Sequence, residues 1–164
     1  MKIEIKNRWN DSLIFSGEFI SVKLAVEYCI ATRISLRNAD LSGADLSGAN
    51  LRSADLRGAH FSYADLSGAD FTNANLSGAK LIGADLSDAN LRSANLRGAN
   101  LRSAKLIGAD FTNADLSDAN LTNANLTNAV LRGADLTDAK LNGVSLSDAN
   151  LSGADLSGAT GIRK

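Results

Sequence analysis

Few side chains in this sequence could do chemistry alone. The chain has one histidine, His60, and one cysteine, Cys29, whereas a catalytic or metal centre needs several such groups converging in a hollow. Aspartates are plentiful, and "ADLSGADLSG" would supply carboxylate pairs for acid–base work. The carboxylates return at the same five-residue interval as Leu, Ala and Gly, so they read as a repeated consensus rather than a constellation. His60 stands in the column otherwise held by Asp or Asn and reads as a solvated substitution. Cys29 falls on the apolar side of a predicted helix and reads as a buried structural thiol. A lone cysteine excludes an intrachain disulfide and cannot hold a metal unaided. No catalytic residue, cofactor or metal ligand is expected, and the chain is not read as an enzyme.

The elements that must position these residues follow from the period. Every fifth residue from Leu36 to Leu156 is Leu, or Phe at Phe61, Phe71 and Phe111, which makes 25 repeats. Two residues before each centre stands Ala, with Ile34 and Val144 as exceptions. A period of five suits neither the helix, which would spread the Leu residues around all sides, nor a continuous strand. A short extended piece followed by a turn suits it: Ala and Leu point inward, the residue between them points out, and Gly, Asn, Asp or Ser then turns the chain at positive φ. Leu41, Leu46, Leu51, Leu56, Phe61, Leu66, Phe71 and Phe111 are therefore assigned to a core ladder.

Residues 1–35 do not repeat. "KIEIK" and "SLIFSGEF" predict two strands around the turn formers of "NRWND", and "SVKLAVEYCIATRI" predicts a helix capped by Ser21. They are read as an N-terminal cap of hairpin plus helix, followed by repeats over 36–160 and a tail over 161–164. The start is charged, without the apolar stretch of a secretory signal, and no segment approaches a membrane span. The expected location is the cytoplasm, with no membrane partner.

The motifs "ADLSG", "ANLRS" and "ADFTN" closely resemble the A(D/N)LXX pattern of the pentapeptide repeat family, over about four-fifths of the chain. The resemblance implies an all-β fold, a right-handed, four-sided parallel β-helix with four repeats per coil. About six coils would then make a rod roughly 30 Å long at the usual strand spacing. Folded this way, the outward residues form four faces, with Arg52, Arg92 and Arg132 stacked on one, and Ile82 and Ile107 on adjacent faces. These five are the candidate interaction surface. Some members of the family act as DNA mimics that bind DNA gyrase, which requires a strongly negative rod. From residue 36 to the end, 14 acidic and 12 basic residues nearly cancel, so gyrase mimicry is the second choice. A ligand-binding or enzymatic role for the cap around Trp9 is the third. Basic residues neither cluster nor interleave with aromatics, so no nucleic-acid partner is expected. The first choice is a non-catalytic scaffold presenting flat side-chain ladders to an unidentified protein. The last coil, with no amphipathic segment after it, is expected to self-associate through its open edge.

Overall fold

The computed structural model describes residues 1–161, so most of the predicted tail, 162–164, lies outside the described residues. Strand β1 (Lys2–Lys6) pairs antiparallel with β2 (Leu13–Glu18), Ile3 opposite Gly17 and Ile5 opposite Phe15. Alternation along KIEIK buries Ile3 and Ile5 and leaves Lys2, Glu4 and Lys6 in solvent. Helix α1 (Val22–Ala31) begins at Ser21, whose hydroxyl accepts the Leu24 N–H and so satisfies one of the free donors of the first turn. Its inner side buries Ala25, Val26 and Cys29.

From residue 36 onward the architecture follows from where the backbone N–H groups go. In the repeat Ala64 to Gly68, Ala64 N–H closes a turn on the Phe61 carbonyl (3.0 Å) and Asp65 N–H reaches back to Ala44 (3.0 Å). Leu66 N–H and Gly68 N–H reach forward to Asp85 (2.7 Å) and Ser87 (2.8 Å). The remaining donor, Ser67 N–H, is taken by the side chain of Asp65 at 3.0 Å. All five donors are satisfied, and that last bond is a physical reason for Asp or Asn before each centre.

These bonds join residues about twenty apart, and parallel bridges run from Asp40↔His60 to Lys140↔Thr160. Four repeats thus complete one turn of the chain, and the outward residues stack in four columns named here by their first bridging member: the Asp40, Asp45, Asn50 and Asp55 faces. At each corner the residue two after the centre has positive φ, from Asn38 (56°) to Gly158 (70°).

The inward columns are closed. Leu41, Leu46, Leu51, Leu56, Phe61, Leu66, Phe71 and Phe111 are no more than 4% exposed, and a fully buried Leu contributes about 1.5–3 kcal/mol. Phe61 and Phe71, beneath opposite faces, meet edge to face with ring centroids 6.4 Å apart. Beyond Val144 the ladder opens, and Leu146, Leu151 and Leu156 are only partly buried.

The non-repeating segment is stitched to the first coil. Asp40 N–H donates to the Lys6 carbonyl and Arg8 N–H to the Asn38 carbonyl, both at 2.8 Å. Helix α1 adds the Glu27 carboxylate as acceptor for Asn50 N–H and the Lys23 ammonium as donor to the Ser47 carbonyl, again at 2.8 Å.

Candidate functional site

Outward charge sorts by face. The Asp45 face carries Asp45, Asp65, Asp85, Asp88 and Asp148 against Lys105 alone. The opposite Asp55 face sets Asp55, Asp115, Asp118, Asp135, Asp138 and Asp155 against Arg37, Arg57 and Arg97. Between them, the Asn50 face balances Arg52, Arg92 and Arg132 against Asp70 and Asp110, and the Asp40 face holds Lys80, Arg102, Lys140 and His60 with one acid. The sign therefore alternates around the rod.

Most cations off the Asp40 face are spent on neighbours. Arg52 lies 3.0 Å from Asp70, Arg92 3.3 Å from Asp110, Arg97 3.2 Å from Asp118 and Lys105 3.2 Å from Asp85, each exposed pair contributing about 0–1 kcal/mol. Burial works against ionisation of Asp70, but hydrogen bonds from Thr72 and the Arg52 guanidinium outweigh it and hold its carboxyl below the usual range. Asp110 is held down in the same way by Thr112 and Arg92, against the same burial. Of the five residues singled out in the sequence, Arg52, Arg92 and Arg132 share the Asn50 face, Ile82 is half-buried on the Asp40 face, and Ile107 is 37% exposed on the Asp45 face.

The hairpin turn brings new chemistry onto the Asp40 face. The Arg8 guanidinium sits 4.3 Å from the centre of the Trp9 ring, and the Lys80 ammonium lies 5.7 Å from the same ring. Beside them, His60 Nδ1 is 3.4 Å from Asp40 and its Nε2 is 3.0 Å from Ser62 Oγ. This corrects the reading of His60 as a solvated substitution: it is half-buried, because bridged columns hold Asp40 and Ser62 within its reach.

Carboxylate, imidazole and hydroxyl in line would suit nucleophilic catalysis. Two features oppose that use: Ser62 is 6% exposed, and the Asp40 oxygen facing His60 already accepts the Ser42 hydroxyl at 2.7 Å and its N–H at 3.1 Å. Burial raises the pKa of the Asp40 carboxyl, but Ser42, with the charges of His60 and Arg8, lowers it further. The group is a structural relay rather than an open nucleophile. The buried Cys29 thiol is pushed up to about 11 by loss of solvent, so it stays protonated and unreactive at neutral pH. A cleft of about 240 Å³ lies between the end of α1 and the first coil, walled by Ile30, Arg33, Ser35 and Asp55 among others, and Trp9 is not part of its lining. Among the described residues no group of three or more His, Cys, Asp or Glu is placed to hold a metal ion.

The sequence did not tie Arg8 or Trp9 to the column that holds His60 and Lys80. Nothing periodic marks a hairpin turn, so no signal tied those two to the column 50 or more residues away.

Comparison with known proteins agrees with this geometry. The pentapeptide repeats family model matches eight copies over residues 27–58, 34–73, 69–106, 94–133 and 129–160. Among solved structures, HetL of Nostoc sp. strain PCC 7120, a pentapeptide repeat protein involved in heterocyst differentiation regulation, is 38% identical over 77% of this chain and 66% of its own, with a TM-score of 0.51. A pentapeptide repeat protein of the Arabidopsis thaliana thylakoid lumen is 40% identical over 58% of this chain and 63% of its own, with a TM-score of 0.50. The chain thus spans just under two thirds of the length of these solved relatives. No curated protein matches it. With the repeats matched from end to end of the β-helical region, the chain belongs to the pentapeptide repeat family.

Proposed function

We propose that this protein is a non-catalytic interaction scaffold: a right-handed, four-sided rod of about six coils, closed at its N-terminal end by the hairpin and α1, that presents registered columns of side chains to a protein partner. The observation that carries this reading is the backbone accounting. With all five N–H groups of a repeat satisfied and a core that is 0–1% exposed through the middle coils, the rod is rigid and its outward side chains keep fixed spacing. Rigid presentation lowers the ordering cost of binding. HetL, to which this chain is similar, is involved in heterocyst differentiation regulation, and a regulatory role suits such a scaffold.

Self-association through the last coil belongs to the same proposal. Its Leu and Ala residues are partly uncovered, and Leu151 and Leu156 N–H find no backbone acceptor among the described residues. Alternation of charge sign weighs against gyrase mimicry, since a duplex is negative on every side.

The test places a photo-crosslinking residue once on each face, at Arg102, Ile107, Arg92 and Arg97, in cells expressing the full chain. A discrete heterologous adduct from at least one face is expected. Adducts from none would overturn the scaffold reading, and an adduct with gyrase would restore the mimic. Light scattering reads the oligomer separately, and a monomer at high concentration would remove the C-terminal contact.

A further inference from the structure

Resting on the scaffold reading, we propose that the Asp40 face, beside the hairpin turn, is the docking surface, and that its occupant is an acidic, extended segment of a partner protein. Its positive charge is unspent. Lys80 and Arg102 enter no ion pair among the described residues, while Arg52, Arg57, Arg92, Arg97 and Lys105 each lie within 3.3 Å of a carboxylate. The only acid on the face, Asp40, is engaged by Ser42 and His60. The Arg8 guanidinium lies over the Trp9 ring and enters no ion pair among the described residues, so it adds positive charge beside this face.

The face also gives up stability that the consensus would provide. At His60, Lys80 and Lys140 the Asp or Asn that should accept the N–H two residues on is missing, and Ser62, Ile82 and Asn142 N–H have no acceptor among the described residues. Lys105 and Val130 do the same on the Asp45 and Asn50 faces, but only here does the loss recur in three coils with a basic or imidazole side chain in place of the acceptor each time. Tyr63 occupies a corner at φ 61°, a conformation that bulky residues rarely adopt. Its ring lies over Gly83, where a Cβ would meet it at 2.8 Å. Tyr63 is 75% and Trp9 68% exposed, and Trp, Tyr and Arg are the residue types that dominate binding energy at interfaces. Departures from a local rule with no structural return mark a functional surface.

Complementarity selects the occupant. The flanking Asp45 and Asp55 faces are acidic, so an anion must be narrow enough to lie between them. A face is five residues long, at most about 18 Å, and an extended acidic strand fits it. A nucleic-acid duplex overhangs both edges and meets their aspartates.

Trp9 is the only tryptophan, so its emission reads this face directly. The full chain is titrated with a Glu-rich peptide carrying one leucine, and in parallel with a Lys-rich peptide and a DNA duplex. The expected result is a saturable Trp9 shift with the acidic peptide alone, weakening as salt is raised. The double reversal Lys80→Glu with Arg102→Glu should weaken binding about tenfold or more, and Arg92→Glu with Arg132→Glu on the opposite face should leave it within about twofold. No shift, equal loss in both double variants, or tighter binding of the duplex would overturn the proposal. Crosslinks from positions 92, 97 or 107 but not 102 overturn this surface and leave the scaffold standing, whereas crosslinks from none remove the scaffold itself.

Discussion

The Asp40 and Asn50 faces lie on opposite sides of one rod, each carries three Lys or Arg residues, and they use them differently. On the Asn50 face Arg52 and Arg92 are paired across coils with Asp70 and Asp110, and Asn90 accepts the Arg92 N–H at 3.2 Å. On the Asp40 face the cations are unpaired, His60 and Lys80 have displaced the accepting Asp or Asn, and an aromatic sits at a corner suited to glycine. Both are built on the same Leu, Phe and Ala ladder, so the core does not explain the contrast. The Asn50 face departs from the rules that hold the coil together once, at Val130, whereas the Asp40 face departs at His60, Lys80 and Lys140, the first two beside the turn that brings Trp9 and Arg8.

The largest effect tests whether the core is shared. Phe61 lies beneath the Asp40 face and Phe71 beneath the Asn50 face, both fully buried. Phe61→Ala and Phe71→Ala should each cost about 3–5 kcal/mol in chemical denaturation. A much milder loss at Phe61 would mean that the Asp40 face stands on weaker foundations.

Corners come next. Gly83→Ala adds a Cβ that meets Tyr63 at 2.8 Å, while at Gly153, on the Asn50 side, the nearest atom is 4.0 Å away. Both sit at positive φ, so both alanines should cost about 1–2 kcal/mol. Gly83→Ala should in addition displace the Tyr63 ring, read as a change in its NMR shifts, and an unmoved ring would break the distinction.

A smaller and more pointed effect has opposite signs on the two faces. Lys80→Asn restores an acceptor for the Ile82 N–H and should stabilise the rod by about 0.5–1.5 kcal/mol. Asn90→Lys removes the acceptor of the Arg92 N–H and should destabilise it by a similar amount. If both variants destabilise, Lys80 has a structural role on the Asp40 face.

Acid gives the gentlest test. Asp110 and Asp40 are both held below the usual carboxylate range, burial opposing and hydrogen bonds and nearby cations prevailing. Their stabilising contribution is complete above the unfolded-chain value of about 3.9 and fades as the pH falls through the lower folded value. Asp110→Asn and Asp40→Asn should each flatten the loss of stability below about pH 4, measured by thermal melts at pH 7 and pH 3 as rough end points. An unchanged acid limb in one variant would show that its carboxylate is not coupled to folding.

The local part of the fold was plain in the residues. Ala39 and Leu41 had to face the same way, Asp40 between them had to face out, and Gly43 had to turn the chain, because side-chain direction in an extended segment alternates. Alternation in Ile3 and Ile5 and the capping Ser21 marked the hairpin and helix for similar reasons. The cross-coil pairs were harder. That Arg52 meets Asp70 rather than Asp55 depends on which residues lie beside one another after a full turn, and the five-residue period alone does not count repeats per turn.

By itself, the sequence determined which positions are inside and where each corner falls, since those follow from spacing and φ preference within a few residues. Only the tertiary structure decided that the turn carrying Arg8 and Trp9 lands beside His60 and Lys80, because that contact joins a segment without periodicity to a column assembled from separate coils. Burial of Ile3 and Ile5 and the bonds from Asp40 and Arg8 fix it, through packing and hydrogen bonds between residues far apart in the chain.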